Sequence, residues 1–196
     1  VHRPGWGGMV MEELRTSVLF YIAVALLWGG LYPAMVTGIA SALFPRQAAG
    51  SLIIDGQGKT IGSQLIGQPF TAQQYFWPRP SATSESPYNP AASGGSNSGP
   101  SNPDFLKTVA LRVQAIRASG LTGTIPADLV FASASGLDPH ISPEAAAVQT
   151  TRVATARGLT VAKVGELVTA HTEDQQAGIL GAPRVNVLAL NLALDS

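Results

Sequence analysis

Cysteine is absent from this 196-residue chain. That absence excludes disulfides, zinc–thiolate sites and cysteine nucleophiles together, and it leaves the compartment open. Charge is also scarce. Twelve basic and 12 acidic residues, 12% of the chain, cancel to a net charge of zero. They are scattered singly, with no basic patch for nucleic acid and no polybasic run for anionic lipid headgroups. The only histidines are His2, His140 and His171, and no serine stands in a Gly-x-Ser-x-Gly elbow.

Where charge is missing altogether, the chain is most informative. Nothing between Arg15 and Arg46 is charged, and Val18 to Phe44 reads VLFYIAVALLWGGLYPAMVTGIASALF. About 20 helical residues cross a hydrocarbon core of roughly 30 Å, so this run suffices for one tilted crossing. A buried core helix seldom stays uncharged on every face for so long. A cleaved signal peptide is the other alternative, with Ala40-Ser41-Ala42 as a cleavage-like pattern. Its apolar region should span only ~7–15 residues. The reading taken is one permanent transmembrane helix over 14–44, with Thr16 or Ser17 as its cap. Residues 1–13 form a tail, of which 1–8 (VHRPGWGG) look like a vector remnant or an upstream start. Arg3 and Arg15 before the helix balance Arg46 and Lys59 after it, so charge says little about orientation. The short tail favours a cytoplasmic amino terminus.

Inside the helix, Gly30, Ala34, Gly38 and Ala42 recur every four residues and share one face. Helices in lipid pair through close backbone approach at small residues, so this stripe is the candidate contact for another membrane protein. Glycine and alanine are also merely common in membrane helices. Pro33, lacking an N–H for the Gly29 carbonyl, predicts a kink.

Residues 45–196 read as one small mixed α/β domain. Ser51–Ile54 is a short strand stopped by the Asp55-Gly56 turn. Gly58-Lys59-Thr60 is no phosphate loop, because Ile53 occupies the position of its first glycine. Residues 78–103 form a long Pro/Gly/Ser/Asn-rich loop, a linker by composition. Tyr75, Phe76, Trp77 and Tyr88 argue instead for ordered recognition. Asn102 caps a helix that starts at Pro103 and closes at Gly120, with Leu106, Val109, Val113 and Ile116 inward and Lys107, Arg112 and Arg117 outward. PADLVFA (126–132) offers a strand. Ser142 caps a helix ending before Gly158. Thr160 caps a shorter one with Val161, Val164, Leu167 and Val168 inward. Arg184 to Leu192 reads as a covered central strand.

Catalytic chemistry has few candidates. Asp138 and His140 flank one proline, where a carboxylate could orient an imidazole for a serine. A turn histidine held by a local hydrogen bond is the plainer reading. Asp138, His140, His171 and Glu173 are metal-ligand types without ligand spacing. Ser93-Gly94-Gly95-Ser96-Asn97 opens no adjacent helix, as phosphate loops do. The residues therefore favour a tethering or accessory subunit, with a membrane-anchored extracytoplasmic hydrolase using Asp138 and His140 as the alternative.

Several strings then become specific. They are Tyr32-Pro33 with Val36-Thr37-Gly38, Phe44-Pro45 with Gly50-Ser51-Leu52-Ile53, and Gly62-Ser63-Gln64-Leu65-Ile66-Gly67-Gln68. Next come Arg79-Pro80-Ser81-Ala82, Tyr88-Asn89-Pro90 with Ser93 to Asn97, and Gly136-Leu137-Asp138-Pro139-His140-Ile141-Ser142-Pro143. Pro183-Arg184-Val185-Asn186-Val187 with Leu190-Asn191 closes the series. In this order, over about residues 14–195, they resemble the C subunits of bacterial Kdp potassium-transporting ATPases. Ser98 and Ala182 depart from the pattern.

The resemblance implies a complex with a potassium-selecting channel-like subunit, a P-type ATP-hydrolysing subunit and a small peptide, in the bacterial inner membrane. ATP and potassium are handled by that complex, in which this family is described as a catalytic chaperone raising ATP affinity. The chain has no Asp-Lys-Thr-Gly phosphorylation motif, so it is not the engine. The implied fold is one amino-terminal transmembrane α-helix followed by the α/β domain outside the cytoplasm, away from ATP. Loop 78–103 then becomes a partner surface, with Arg79, Tyr88, Asn89, Ser93, Asn97, Asp138 and His140 as candidate contacts.

Overall fold

The structure, a computed structural model, describes residues 6–196. It divides into two units, one up to Ser51 and one from Leu52.

The first unit is helical. It comprises α1 (Trp6–Leu26), a π turn over Leu27–Leu31, α2 (Tyr32–Leu43) and the single turn α3 (Pro45–Ala48). Val10–Leu43 is long and apolar enough to cross a membrane, and its most apolar window is not buried within the protein. The helix starts well before the expected tail ends. Thr16 therefore lies inside it, and its hydroxyl donates back to the Glu12 carbonyl (2.9 Å) instead of capping. The expectation that residues 1–8 are foreign falls partly on 1–5, outside the described residues, as does His2. Near Pro33 the expected kink takes a specific form, a widened turn whose Tyr32 amide bonds the Leu27 carbonyl five residues back.

The second unit packs five short strands and four helices. β1 (Leu52–Ile54) and β2 (Thr60–Ser63) form an antiparallel hairpin pairing Leu52 with Ser63 and Ile53 with Gly62. Asp55 Oδ1 accepts the Gln57 and Lys59 amides (both 2.9 Å), so Gly58-Lys59-Thr60 is turn and strand. β3 (His140–Ile141), β4 (Thr172–Glu173) and β5 (Arg184–Asn186) form an antiparallel sheet in the order β3-β5-β4. α5 (Pro143–Arg157) packs on α6 (Val161–Ala170), and α7 (Val187–Asp195) on α6 and β5. The core between them is Phe76, Ile141, Val153, Val164, Val185, Val187 and Leu190, reached by Ile116 of α4 (Pro103–Ala118).

Helix starts follow their caps. The Asn102 side chain takes the Asp104 and Phe105 amides, Ser142 that of Ala145, and Thr160 that of Lys163. Gly158 closes α5 at φ 66°, a left-handed value at which it carries no steric penalty.

Four expectations are corrected. Arg184 to Leu192 is strand only to Asn186. There the Asn186 side chain accepts the Ala189 amide (3.0 Å) and starts α7. Buried Val187, Leu188, Leu190, Asn191 and Leu194 follow helical spacing, which a short apolar run does not distinguish from a strand. PADLVFA is a 3-10 turn (Ala127–Leu129), not a strand. In α4, Val109, Val113 and Ile116 face the core as expected, but Leu106 is exposed, Phe105 stacks on Phe131, and Arg112 turns in to donate to the Val130 carbonyl (2.8 Å). Val161 is exposed as well, leaving Val164 and Val168 as the buried positions of α6.

Phe76 is fully buried, yet its backbone lies in no sheet. The carboxamide of Asn191, on α7, accepts its amide (2.8 Å) and donates to its carbonyl (3.0 Å). Gln149, on α5, does the same for Trp77 (2.8 and 3.2 Å). Two side chains thus stand in for strand neighbours. Asn191→Leu keeps the branched shape and removes both bonds, leaving two buried backbone groups unpaired. The full chain in detergent is expected to lose about 2–5 kcal/mol in denaturant unfolding. A loss under about 0.5 kcal/mol would refute this role.

Candidate functional site

Seven residues of the α/β domain were singled out by sequence, and four of them meet. Arg79 Nη1 lies 3.1 Å from Asp138 Oδ2, and the His140 imidazole Nδ1 lies 3.2 Å from Asp138 Oδ1, which also accepts the His140 amide (3.0 Å). The buried Tyr88 hydroxyl donates to the Arg79 carbonyl. Asp138 is thus gripped from both sides. Burial pushes its carboxyl up, but hydrogen bonds from the His140 side chain and backbone, with the charges of His140 and Arg79, outweigh this and hold it below the ordinary value. Burial and the nearby Asp138 charge raise the Tyr88 phenol, so it remains a donor.

The remaining residues fasten the long loop. Ser81 Oγ donates to the Gly136 carbonyl (2.7 Å) and accepts the Tyr88 amide (2.9 Å). Asn89 caps the 3-10 turn Pro90–Ala92, accepting the Ala91 amide (3.0 Å). The Ser93 hydroxyl and the Gly94 amide both donate to the Ser135 carbonyl (3.1 and 2.9 Å). Residues 79–95 are therefore bound to residues 132–138 and are not a free linker. Asn97 stands apart, exposed, in a left-handed conformation at φ 49°.

Two glycines make this fit possible. A Cβ at Gly67 would stand 2.5 Å from the Tyr88 ring and 2.9 Å from the Asp138 carbonyl. Gly136, at φ 69°, passes under Thr83, where a Cβ would lie 2.6 Å from its methyl. Such glycines are where one backbone passes closely over another.

Beside the cluster is an open groove of about 420 Å³, bounded by Arg79, Asp138, His140, Ser142, Pro183 and Arg184. Arg184 pairs with Glu173 (2.9 Å). Asp128 Oδ2 accepts the Ser142 amide (2.6 Å), and Ser142 Oγ caps α5. A serine-hydrolase arrangement needs a hydroxyl on the imidazole nitrogen that faces away from the carboxylate. Among the described residues the His140 imidazole bonds only Asp138, whose second oxygen holds Arg79. Asp138 thereby ties Arg79 to the segment that carries His140. His171 Nδ1 is engaged with the Leu167 carbonyl (2.8 Å), apart from His140. Sequence reasoning missed Asp128, Arg184 and the Asn191–Gln149 pair. A lone asparagine within VLALNLALD was the available signal for the last.

In the first unit, Ala34, Gly38 and Ala42 lie in unbroken α2, while Gly30 lies in the π turn. A Cβ added at Gly30 or Gly38 would meet nothing within 4 Å.

Because the folded pKa of Asp138 is depressed, its contribution is complete above the unfolded value near ~3.9 and is lost as pH falls below it. Hydrogen-exchange protection of the Gly67 and Gly94 amides should therefore hold above about pH 4 and drop as pH falls below it in the wild type. In Asp138→Asn it should be low throughout. Equal protection in both proteins at every pH would show that Asp138 does not hold the loop.

The family model of the K+-transporting ATPase c chain, KdpC, matches residues 14–196. A potassium-transporting ATPase KdpC subunit from Geobacter sulfurreducens is 63% identical over 186 residues, covering 95% of this chain and 98% of the relative. Those of Dechloromonas aromatica and Methylococcus capsulatus are 56% and 52% identical, covering 93% and 95% of this chain and 96% and 99% of theirs. Matches of this extent leave no part of the folded domain outside the alignment, and the chain belongs to the KdpC family, the c chains of the K+-transporting ATPase.

Proposed function

We propose that this chain is a membrane-anchored, non-catalytic subunit of a high-affinity, ATP-driven potassium uptake complex. The observation that carries the reading is the family match over residues 14–196, joined to one helix long and apolar enough to span a membrane. The partners are a potassium-selecting channel-like subunit, a P-type ATP-hydrolysing subunit and a small peptide subunit. α1 and α2 cross the bacterial inner membrane once, with a cytoplasmic amino terminus, and the α/β domain lies outside the cytoplasm.

That arrangement constrains mechanism. A domain on the far side of the membrane does not touch ATP, so raising the engine's ATP affinity requires coupling through the partner subunits. Such coupling is reciprocal: whatever strengthens ATP binding by this route is itself held more tightly when ATP is bound. In the outer domain, Arg79, Tyr88, Asp138, Asn89 and Ser93 act by shaping the surface, while His140 and Asn97 present it to a partner. In the membrane, Gly30, Ala34, Gly38 and Ala42 face another subunit, where no side chain stands in the way of close backbone approach.

Two outcomes test this. Gly38→Leu should insert normally yet lower both co-purification with the other subunits and potassium-stimulated ATPase activity, while Leu26→Ala changes little. Wild-type recovery with full activity for Gly38→Leu would remove the stripe from the interface. The purified chain alone should hydrolyse neither ATP nor ester or peptide substrates. Turnover that His140→Ala abolishes would instead establish a hydrolase.

A further inference from the structure

Within Leu27–Leu31 the helix widens, and the Tyr32 amide reaches back five residues to the Leu27 carbonyl. From Tyr32 the four-residue ladder of α2 resumes, and the carbonyl of its cap residue, Leu31, takes the first bond, from Met35. Between those two bonds lie three carbonyls, of Trp28, Gly29 and Gly30. Between the two donors lie only Pro33 and Ala34, and proline has no N–H. One amide therefore faces three acceptors, and two carbonyls are left without an intrahelical donor. Among the described residues no side chain donates to the Trp28, Gly29 or Gly30 carbonyl.

The surroundings make this gap consequential. The turn lies near the middle of Val10–Leu43, the stretch read above as the membrane span. Water is scarce there, and helix breaks are tolerated in hydrocarbon only where neighbouring protein re-satisfies the freed backbone groups. Gly29 and Gly30 also leave the turn bare: a Cβ at either would meet nothing within 4 Å. An incoming side chain can thus reach the backbone itself.

Resting on the reading above that the chain is a subunit, we infer that the Trp28–Gly30 carbonyls are the acceptor half of a mid-membrane hydrogen-bonded interface. The donor is a hydroxyl or carboxamide side chain on a transmembrane helix of a partner subunit. Pro33 creates the demand by deleting an amide, and the two glycines open the approach. A fully apolar partner helix would fit the small-residue face but would leave the carbonyls unpaired. The partner surface at this depth is therefore polar at one or two positions.

The test uses the full chain with the other subunits in lipid nanodiscs. Pro33→Ala returns one amide without adding bulk to the glycine face. Interhelical hydrogen bonds are worth about 0.6–2 kcal/mol, so the variant should associate ~3- to 30-fold more weakly than wild type. A second measurement needs no variant. With ¹³C=¹⁸O labels at Gly29 and Gly30, the amide I band should shift to lower frequency when the chain joins the complex. Wild-type association of Pro33→Ala, or a band that does not move on assembly, overturns the inference. A band already at its assembled position in the isolated chain overturns it too, since water or a second copy then supplies the donor. Failure of the wild-type chain to associate at all would instead refute its membership of the complex.

Discussion

Two carboxamides hold the α/β domain around the Phe76–Trp77 dipeptide. Phe76 and Trp77 enter the core without a neighbouring strand, and a buried backbone without partners would forfeit much of what burying the rings contributes. Asn191 and Gln149 supply the missing partners from α7 and α5. The same contacts fix where loop 78–103 begins. Arg152, stacked 4.1 Å over the Trp77 ring and bonded to Gln149 Oε1 (2.6 Å), closes this junction.

From that anchor the loop runs outward and is fastened a second time at Arg79–Asp138–His140 and Tyr88. These attachments differ in kind. At Phe76 the bonds are neutral and buried, indifferent to pH. At Asp138 they are ionic and half-buried, so they depend on the protonation state of the carboxylate. The outer surface is thus built on a rigid base with a titratable edge, and the groove at Arg184 lies on that edge.

The membrane segment obeys the opposite economy. Nothing in its most apolar window is buried within the chain, and its one irregular turn has more acceptors than donors. The α/β domain pairs the buried Phe76 backbone internally, whereas on the inference drawn above the turn in this helix is completed by a partner.

Much of this was legible before any coordinates. Composition determined the single long apolar helix, because an uncharged run of that length has one favourable solvent. Caps and breakers determined the starts of α4, α5 and α6 at Asn102, Ser142 and Thr160, because a side-chain oxygen beside its own helix is a local matter. What sequence left undecided was every choice between two local structures of similar energy. Val187 to Leu192 suits a strand or a helix by apolar pattern alone, and packing on α6 and β5 with the Asn186 cap selects the helix. Composition left loop 78–103 undecided between linker and ordered recognition, while Gly67, Gly136 and the Asp138 carboxylate hold residues 79–95 down from as far as 59 residues away. The partners of Asn191 and Gln149 lie 115 and 72 residues distant. Local pattern carries no record of such distances, so only the tertiary structure could decide which polar groups meet.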